Sequence, residues 1–369
     1  MNENWEYRRI GDICTVERGG SPRPIDSFIT DSDDGINWIK IGDADDTMYI
    51  TKTAQKIKPE GIKKSRYVRP GDFLLSNSMS FGKPYILKIS GCIHDGWLVL
   101  RDEECLFDKR FLYFYLSSPS TYNQFKTMAV GGVVNNLNSE MVRNVEIPIP
   151  NMEEQLEIVK ILEKLQSLIV ARKQQLSDFD TLIKARFMEL FGNPITREKD
   201  EELKALGDYC DLKAGKFVKA SDIVENNVEG LYPCFGGNGQ RGFVSDYTHD
   251  GDFPIIGRQG ALCGNVQYAS GKFHATEHAV VVTPRIEMDR YWLYYLLLQL
   301  NLNRYATGAA QPGLAVSNLE KIHVSVPKLS LQKKFADFAR QSDKSKLAVQ
   351  QSLEKTQELF DSLMQKYFG

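Results

Sequence analysis

The chain has 369 residues, 42% of them hydrophobic, and a formal net charge of −2. That is enough apolar material for two ordinary cores, while no run of about 18 apolar residues offers a membrane span. A near-neutral balance leaves no global footprint for nucleic acid, so any such binding has to come from local basic patches or from a basic partner.

The N-terminal MNENWEYRRIGD lacks the apolar core of a signal peptide. The six cysteines (Cys14, Cys92, Cys105, Cys210, Cys234, Cys263) are scattered without a CxxC, as expected of reduced, mostly buried thiols in a cytoplasmic protein. Trp5 to Glu17 reads as a short strand or turn leading into a glycine-rich loop, and GGSPRP then places Arg23 on an exposed turn. Acids crowd around the strand INWIKIGD between Asp31 and Asp46. Solvated loops flanking a buried strand explain them better than a metal site, because nothing fixes a coordination geometry.

The sign then reverses. Lys52, Lys56, Lys58, Lys63, Lys64, Arg66 and Arg69 face only Glu60 within their stretch. This is either a solvated basic loop or a surface that tracks phosphates. RPGDFLLSNS reads as a turn and strand, SFGKPYIL breaks at Gly82 and Pro84 and exposes Lys83, and IHDGWLVLR reads as a strand pair. RFLYFYLSSPSTYNQF follows as a short amphipathic helix, and AVGGVVNNLNSEMV as a loop rich in Gly and Asn. Strands dominate, so this part is a small α+β or mostly β unit.

From Ile147 to Gly192 the pattern changes to one long amphipathic helix entered through a short strand and a proline. Leu162, Ile169, Leu176, Ile183 and Leu190 share one heptad position, and Ile158, Leu165 and Phe179 the position three later. That is a coiled-coil seam, interrupted by Arg172 and Arg186. After it, NPITREKDEELK is a polar linker, and LYPCFGGNGQRGFVSDY demands sharp backbone turns. GDFPIIGRQGALCGNVQYASGKFHATEHAVVVTP follows as strand, loop and strand. RYWLYYLLLQLN then repeats the short helix, TGAAQPGL the loop, and a second long helix closes the chain.

The second long helix matches the first without a gap. Pro150 and Pro327, Gln155 and Gln332, and Phe191-Gly192 and Phe368-Gly369 are each 177 positions apart, an offset that Gly131 and Gly308, and Leu137 and Leu314, also keep. Upstream, RFLYFYL pairs with RYWLYYL and GDFLL with GDFPI at an offset of 180, and IGD at Ile10 pairs loosely with LGD at Leu206. The chain is a tandem duplication of a globular part followed by a long helix. Its second seam is weaker, with Ser342 and Lys346 at matching positions, so the two helices are expected to need each other.

No P-loop, GxSxG elbow or zinc-finger spacing occurs, and Asn193-Pro194-Ile195 stops short of an amino-methyltransferase tetrapeptide. Gly236, Gly237 and Gly239 follow no strand-to-helix pattern, which argues against a dinucleotide site. His274-Ala-Thr-Glu277-His278 fits HxxEH, a zinc-peptidase pattern that works on a helix. Between Gly271 and AVVVTP a strand is expected instead. Positions four apart in a strand lie roughly 13 Å apart, too far to share a metal. These histidines read as packed or hydrogen-bonding groups in a recognition cleft.

The exit strand, proline, glutamine and helix of IPIPNMEEQLEIVKIL and VSVPKLSLQKKF resemble the specificity subunits of Type I restriction-modification systems. So do the helix endings FMELFGNP and LMQKYFG. WIKIGDADDTMYI with GDFLLS, and YPCFGGNGQRGFV with GRQGALCGNV and ATEHAVVV, resemble that family's target recognition domains. The resemblance covers essentially the whole chain. It implies an α+β fold, with two mixed, strand-rich recognition domains (1–150 and 193–327) joined by two long antiparallel coiled-coil helices (151–192 and 328–369) in pseudo-two-fold symmetry. It implies a non-catalytic subunit that reads a bipartite site on double-stranded DNA, one half per domain, with the helices setting the gap. The implied partners are two modification subunits and the restriction-motor subunits. S-adenosylmethionine, and ATP and Mg in the full complex, would sit on those partners, with no cofactor, metal or membrane contact in this chain.

Polar loop residues are the natural base readers, Arg suiting guanine and Asn or Gln adenine. The candidates are Arg23, Ser76, Asn77, Ser78, Lys83, Asn135 and Asn136 in the first domain. In the second they are Asn238, Gln240, Arg241, Arg258, Gln259 and Gln311. The basic run from Lys52 to Arg69 is the candidate phosphate contact. The competing expectation is a coiled-coil adaptor that does not read DNA.

Overall fold

The computed structural model describes residues 5–77, 82–129, 136–196, 203–260, 262–308 and 312–369. The chain divides into two compact units, residues 1–172 with 352–369, and residues 173–351.

The first unit holds two five-stranded sheets. One runs, in spatial order, Thr15–Arg18, Trp97–Arg101, Phe73–Ser76, Pro84–Leu87, Tyr49–Ile50. The other runs Ile29–Thr30, Gln55–Ile57, Ile36–Ile39, Gly91–Ile93, Arg66–Val68. Alternate residues of the first sheet face opposite sides, and both sides are apolar. Leu74, Tyr85, Leu87, Trp97 and Val99 meet Ile39, Val68 and Ile93 of the second sheet. Phe73, Leu75, Ile86, Leu98 and Leu100 face a helical layer. That layer includes the short helix Lys109–Leu116, whose N-cap Asp108 accepts from the Arg110 amide. It also includes Ile158, Val159 and Leu162 from the start of the first long helix (Met152–Phe191) and Met364 and Phe368 from the end of the second (Leu329–Phe368).

The second unit repeats this plan with two four-stranded sheets. The sheet order Cys210–Ala214, Ala279–Pro284, Phe253–Gly257, Val266–Ala269 reproduces the first four strands of its counterpart. Ile255, Ala279 and Val281 meet Phe273 and Ala275 of the other sheet, and Ile256, Val280 and Val282 face helices. Here the end of the first long helix supplies Ile183 and Phe187, and the start of the second supplies Phe335 and Ala339. In each unit, then, the two helical segments run antiparallel. Leu162, Ile169 and Ile183 are buried as the heptad reading requires. Arg186 pairs with Glu189 one turn on, and Lys346, on the weaker seam, pairs with Asp180 of the facing helix.

For the short helix and the central strand the repeat register is 181, one more than the sequence pairing suggests. Asp108 caps one short helix and Asp289 the other, and Leu74 and Ile255 share the inter-sheet position. The reason is that strand faces, not letter identity, fix register: a one-residue slip would turn every core side chain outward. The GDF triplets therefore align by composition while the strands behind them do not.

Candidate nucleic-acid interface

Both units place the same main-chain frame at the end of the helix-facing sheet. The Asn77 amide donates to the Gly96 carbonyl and the Leu137 amide to the Asn77 carbonyl, both at 2.9 Å. In the second unit the Arg258 amide donates to the His278 carbonyl at 2.9 Å, and the Leu314 amide to the Arg258 carbonyl at 2.8 Å. Gly19 donates to the Trp97 carbonyl, and Gly215 correspondingly to that of Ala279. Three loops are thereby tied together at each site: the one after the central strand, the tight turn between the last two core strands, and the segment leading to the long helix.

On this frame the side chains differ. In the first unit Asp95 is held mainly through Oδ1. It accepts from Ser21 Oγ at 3.0 Å and pairs with His94 Nε2 at 2.9 Å and Arg23 Nη2 at 3.8 Å. Its carbonyl accepts from Arg18 Nε at 3.1 Å and Asn77 Nδ2 at 2.8 Å. Arg23 itself is exposed. Ser76 and Asn77 correct the sequence reading, since both are buried and Asn77 spends its amide on the Asp95 carbonyl. Ser76 Oγ accepts from the Lys83 amide at 3.0 Å, so both side chains are engaged within the chain. Lys83 stands apart, half-buried over the Tyr85 ring and paired with Asp46 at 3.4 Å. Asn136 is exposed beside Leu137. Ser78, Asn135 and Gln311 lie outside the described residues.

In the second unit the glycine-rich stretch forms a hairpin in which Gly236 pairs with Gly239 around a two-residue turn. Its tip rests on the frame: a Cβ on Gly257 would lie 1.8 Å from the Gly237 carbonyl oxygen. The hairpin carries the exposed Asn238, Gln240 and Arg241, and its Gly237 lies against Gln259 and His278, next to the half-buried Arg258. Glu277, absent from the sequence candidates, and His278, which the sequence offered as a packed or hydrogen-bonding group of a recognition cleft, are paired at 3.1 Å in the turn after Lys272–Ala275. Arg258 Nε, Glu277 Oε2 and His278 Nδ1 are buried without a hydrogen-bond partner. Burial pushes the Cys234 thiol up, with nearby Arg241 opposing and Glu277 reinforcing the shift. Both signs of charge thus bear on this end of the sheet.

The strand expected for the HxxEH segment ends at Ala275, before Glu277 and His278. His274 lies within the strand, its ring nitrogens 3.3 Å from the Asp246 carbonyl and 3.2 Å from that of Lys216, whereas His278 sits in the turn. Among the described residues, no three His, Cys, Asp or Glu side chains gather as metal ligands.

The basic run is not a single loop. Lys56 lies in the strand Gln55–Ile57, Lys63 and Lys64 in a 3-10 turn Pro59–Lys64, and Arg66 in the strand Arg66–Val68. Lys58 donates to the Ser27 carbonyl at 2.9 Å, Lys64 covers the Phe28 ring, and Arg66 pairs with Glu17 at 3.2 Å. Lys52, Lys63 and Arg69 are exposed.

The sequence profile described as "Type I restriction modification DNA specificity domain" matches residues 2–178 and again residues 198–359. The chain belongs to this family. The specificity subunit of the Escherichia coli restriction enzyme EcoprrI is 32% identical over 342 residues, covering 89% of this chain and 84% of that one. The MjaVIII specificity subunit of Methanocaldococcus jannaschii is 21% identical over 380 residues, covering 92% and 86%. In fold, the chain is similar to the Mycoplasma genitalium S subunit, with a TM-score of 0.66 at 18% identity, covering 100% of this chain and 97% of that one. A chain from work on complex assembly and conformational transition of the type I R-M system gives 0.61 at 19% identity, covering 100% and 98%. Specificity-family membership accounts for the α+β tandem repeat and makes DNA sequence recognition the role of the chain. No helix among the described residues is long and apolar enough to cross a membrane.

Proposed function

We propose that this specificity subunit reads a bipartite site on double-stranded DNA. The recognition domains 1–150 and 193–327 each read one half, and the helices 151–192 and 328–369 set the spacer. The observation that carries this reading is the repeated main-chain frame with unlike side chains. Asn77, Asp95 and Gly96 in one unit stand where Arg258, Glu277 and His278 stand in the other. A duplicated mount that carries different side chains suits two half-sites of different sequence, as dimeric binders match operator symmetry with like groups.

Arg23 and Asn136, and Asn238, Gln240, Arg241, Arg258 and Gln259, supply donors and acceptors of the kind that read major-groove edges. The exposed lysines of the basic run supply phosphate contacts without sequence information. The long helices are also the docking surface for two modification subunits, which carry S-adenosylmethionine. Restriction-motor subunits with ATP and Mg complete the assembly. Comparing the methylomes of cells with and without the gene tests the reading. One split motif should vanish with the gene, and an unchanged methylome in cells carrying active partner subunits would refute it.

A further inference from the structure

The Arg258–Glu277–His278 cluster combines three features. It sits on the repeated frame, it carries both charge signs, and it leaves buried hydrogen-bonding atoms unsatisfied. Among the described residues, the other buried side-chain polar atoms without partners are indole nitrogens of Trp5, Trp97 and Trp292. Buried polar atoms are almost always paired, so three orphans on three touching residues call for a partner from outside the chain. The first unit differs: on the matching turn Asp95 Oδ1 is met by Ser21 and His94, and Arg23 lies 3.8 Å from Oδ2.

We propose that Glu277 is a specificity-determining residue that accepts a hydrogen bond from the exocyclic amine of one base in the half-site read by the second unit. This rests on the DNA-reading function above and names the chemistry of that site. An ionised carboxylate only accepts. In the major groove the donors that face it are cytosine N4 and adenine N6, each beside acceptors suited to an arginine. His278 holds Oε1 and so fixes the carboxylate plane, leaving Oε2 for the base. His278 is a positioning residue. The Glu277 and His278 side chains are each 35% exposed, so the pair reaches the surface while its orphaned atoms lie just beneath it.

The test uses the complex reconstituted with its modification subunits and duplexes carrying the site found by methylome sequencing. Each adenine or cytosine of the second half-site is replaced in turn by purine or 2-pyrimidinone, which lack the exocyclic amine. One replacement should weaken wild-type binding by about 10-fold to 100-fold, and its identity decides between adenine and cytosine. Glu277→Ala, which has no acceptor, should lose that penalty at that position alone. If no replacement weakens wild-type binding, or if the variant keeps the same penalty everywhere, the proposal is overturned while sequence reading stands. If wild type shows no preference for the second half-site at all, the DNA-reading function itself fails. Should Glu277→Ala not fold, Glu277→Met, of similar length and without an oxygen acceptor, takes its place beside the wild-type replacement series, with the same two outcomes.

Discussion

Gln155 Oε1 accepts a hydrogen bond from the Asp108 amide at 2.8 Å, locking the start of the first long helix to the cap of the short helix. Its Nε2 donates to the Leu106 and Pro150 carbonyls, both at 2.9 Å. Gln332 repeats the clamp on the Asp289 amide at 2.9 Å and the Pro327 carbonyl at 2.7 Å. Gln155→Ala leaves buried main-chain groups unpartnered and should cost about 1–3 kcal/mol. Denaturant unfolding checks this, and an unchanged midpoint would sink the clamp.

A second prediction concerns alkaline pH. Asp343 Oδ2 accepts from both Tyr291 and Tyr295, at 2.5 and 2.6 Å. Burial, and then the hydrogen bond to Asp343, pushes both phenols well above their usual range. Burial alone leads the rise of Tyr294, up to about 12. Folded values raised above the ordinary value of about 10 mean that the stabilisation is complete below about pH 10 and is lost as pH climbs through the folded values. The second unit should therefore lose melting temperature steeply above about pH 10. Tyr295→Phe should flatten that slope, and an equal slope in the variant would count against the account.

Gly257→Ala forces a Cβ into the Gly237 carbonyl. Overpacking of this kind costs about 1–3 kcal/mol. We expect the second half of the methylated motif to degrade while the first half persists. Loss of both halves together would show that the substitution acts on the whole chain.

Lys52, Lys63 and Lys64 changed together to Gln should weaken binding to specific and random duplexes alike. The slope of log affinity against log salt should shrink by about 0.9 for each phosphate contact removed. A change in preferred sequence without a change in slope would contradict the phosphate role.

The long helices make the fifth prediction. One heptad added to each, between Arg172 and Lys173 and between Gln351 and Ser352, extends them by about 10 Å. The methylated motif should keep both halves and gain about three base pairs of spacer, taking about 3.4 Å per pair. A functional variant with the original spacer would refute the ruler.

Much of this architecture was legible because the duplication left letters in place. Pro150, Gln155 and Phe191 recur at a constant offset, and the seam residues Leu162, Ile169 and Ile183 are buried where heptads put them. The candidate site was less legible. Ser76 and Asn77 have the residue types of base readers, but type does not report burial, and the frame that buries Asn77 joins residues up to 60 positions apart. Glu277 and His278 hid inside a metal-like pattern, and only the strand ending at Ala275 separates them from His274. The basic run read as one surface because a linear string conceals that Arg66 faces Glu17 across a sheet.

The frame that links Asn77 with Gly96 and Leu137, and Arg258 with His278 and Leu314, is made wholly of main-chain donors and acceptors. Such bonds are indifferent to the side chain they carry. In the second unit, substitution at positions 258, 277 and 278 can change the letters read without disturbing the mount. A lineage pressed to recognise new DNA could thus drift through preferences at these few positions while the scaffold beneath stays in place.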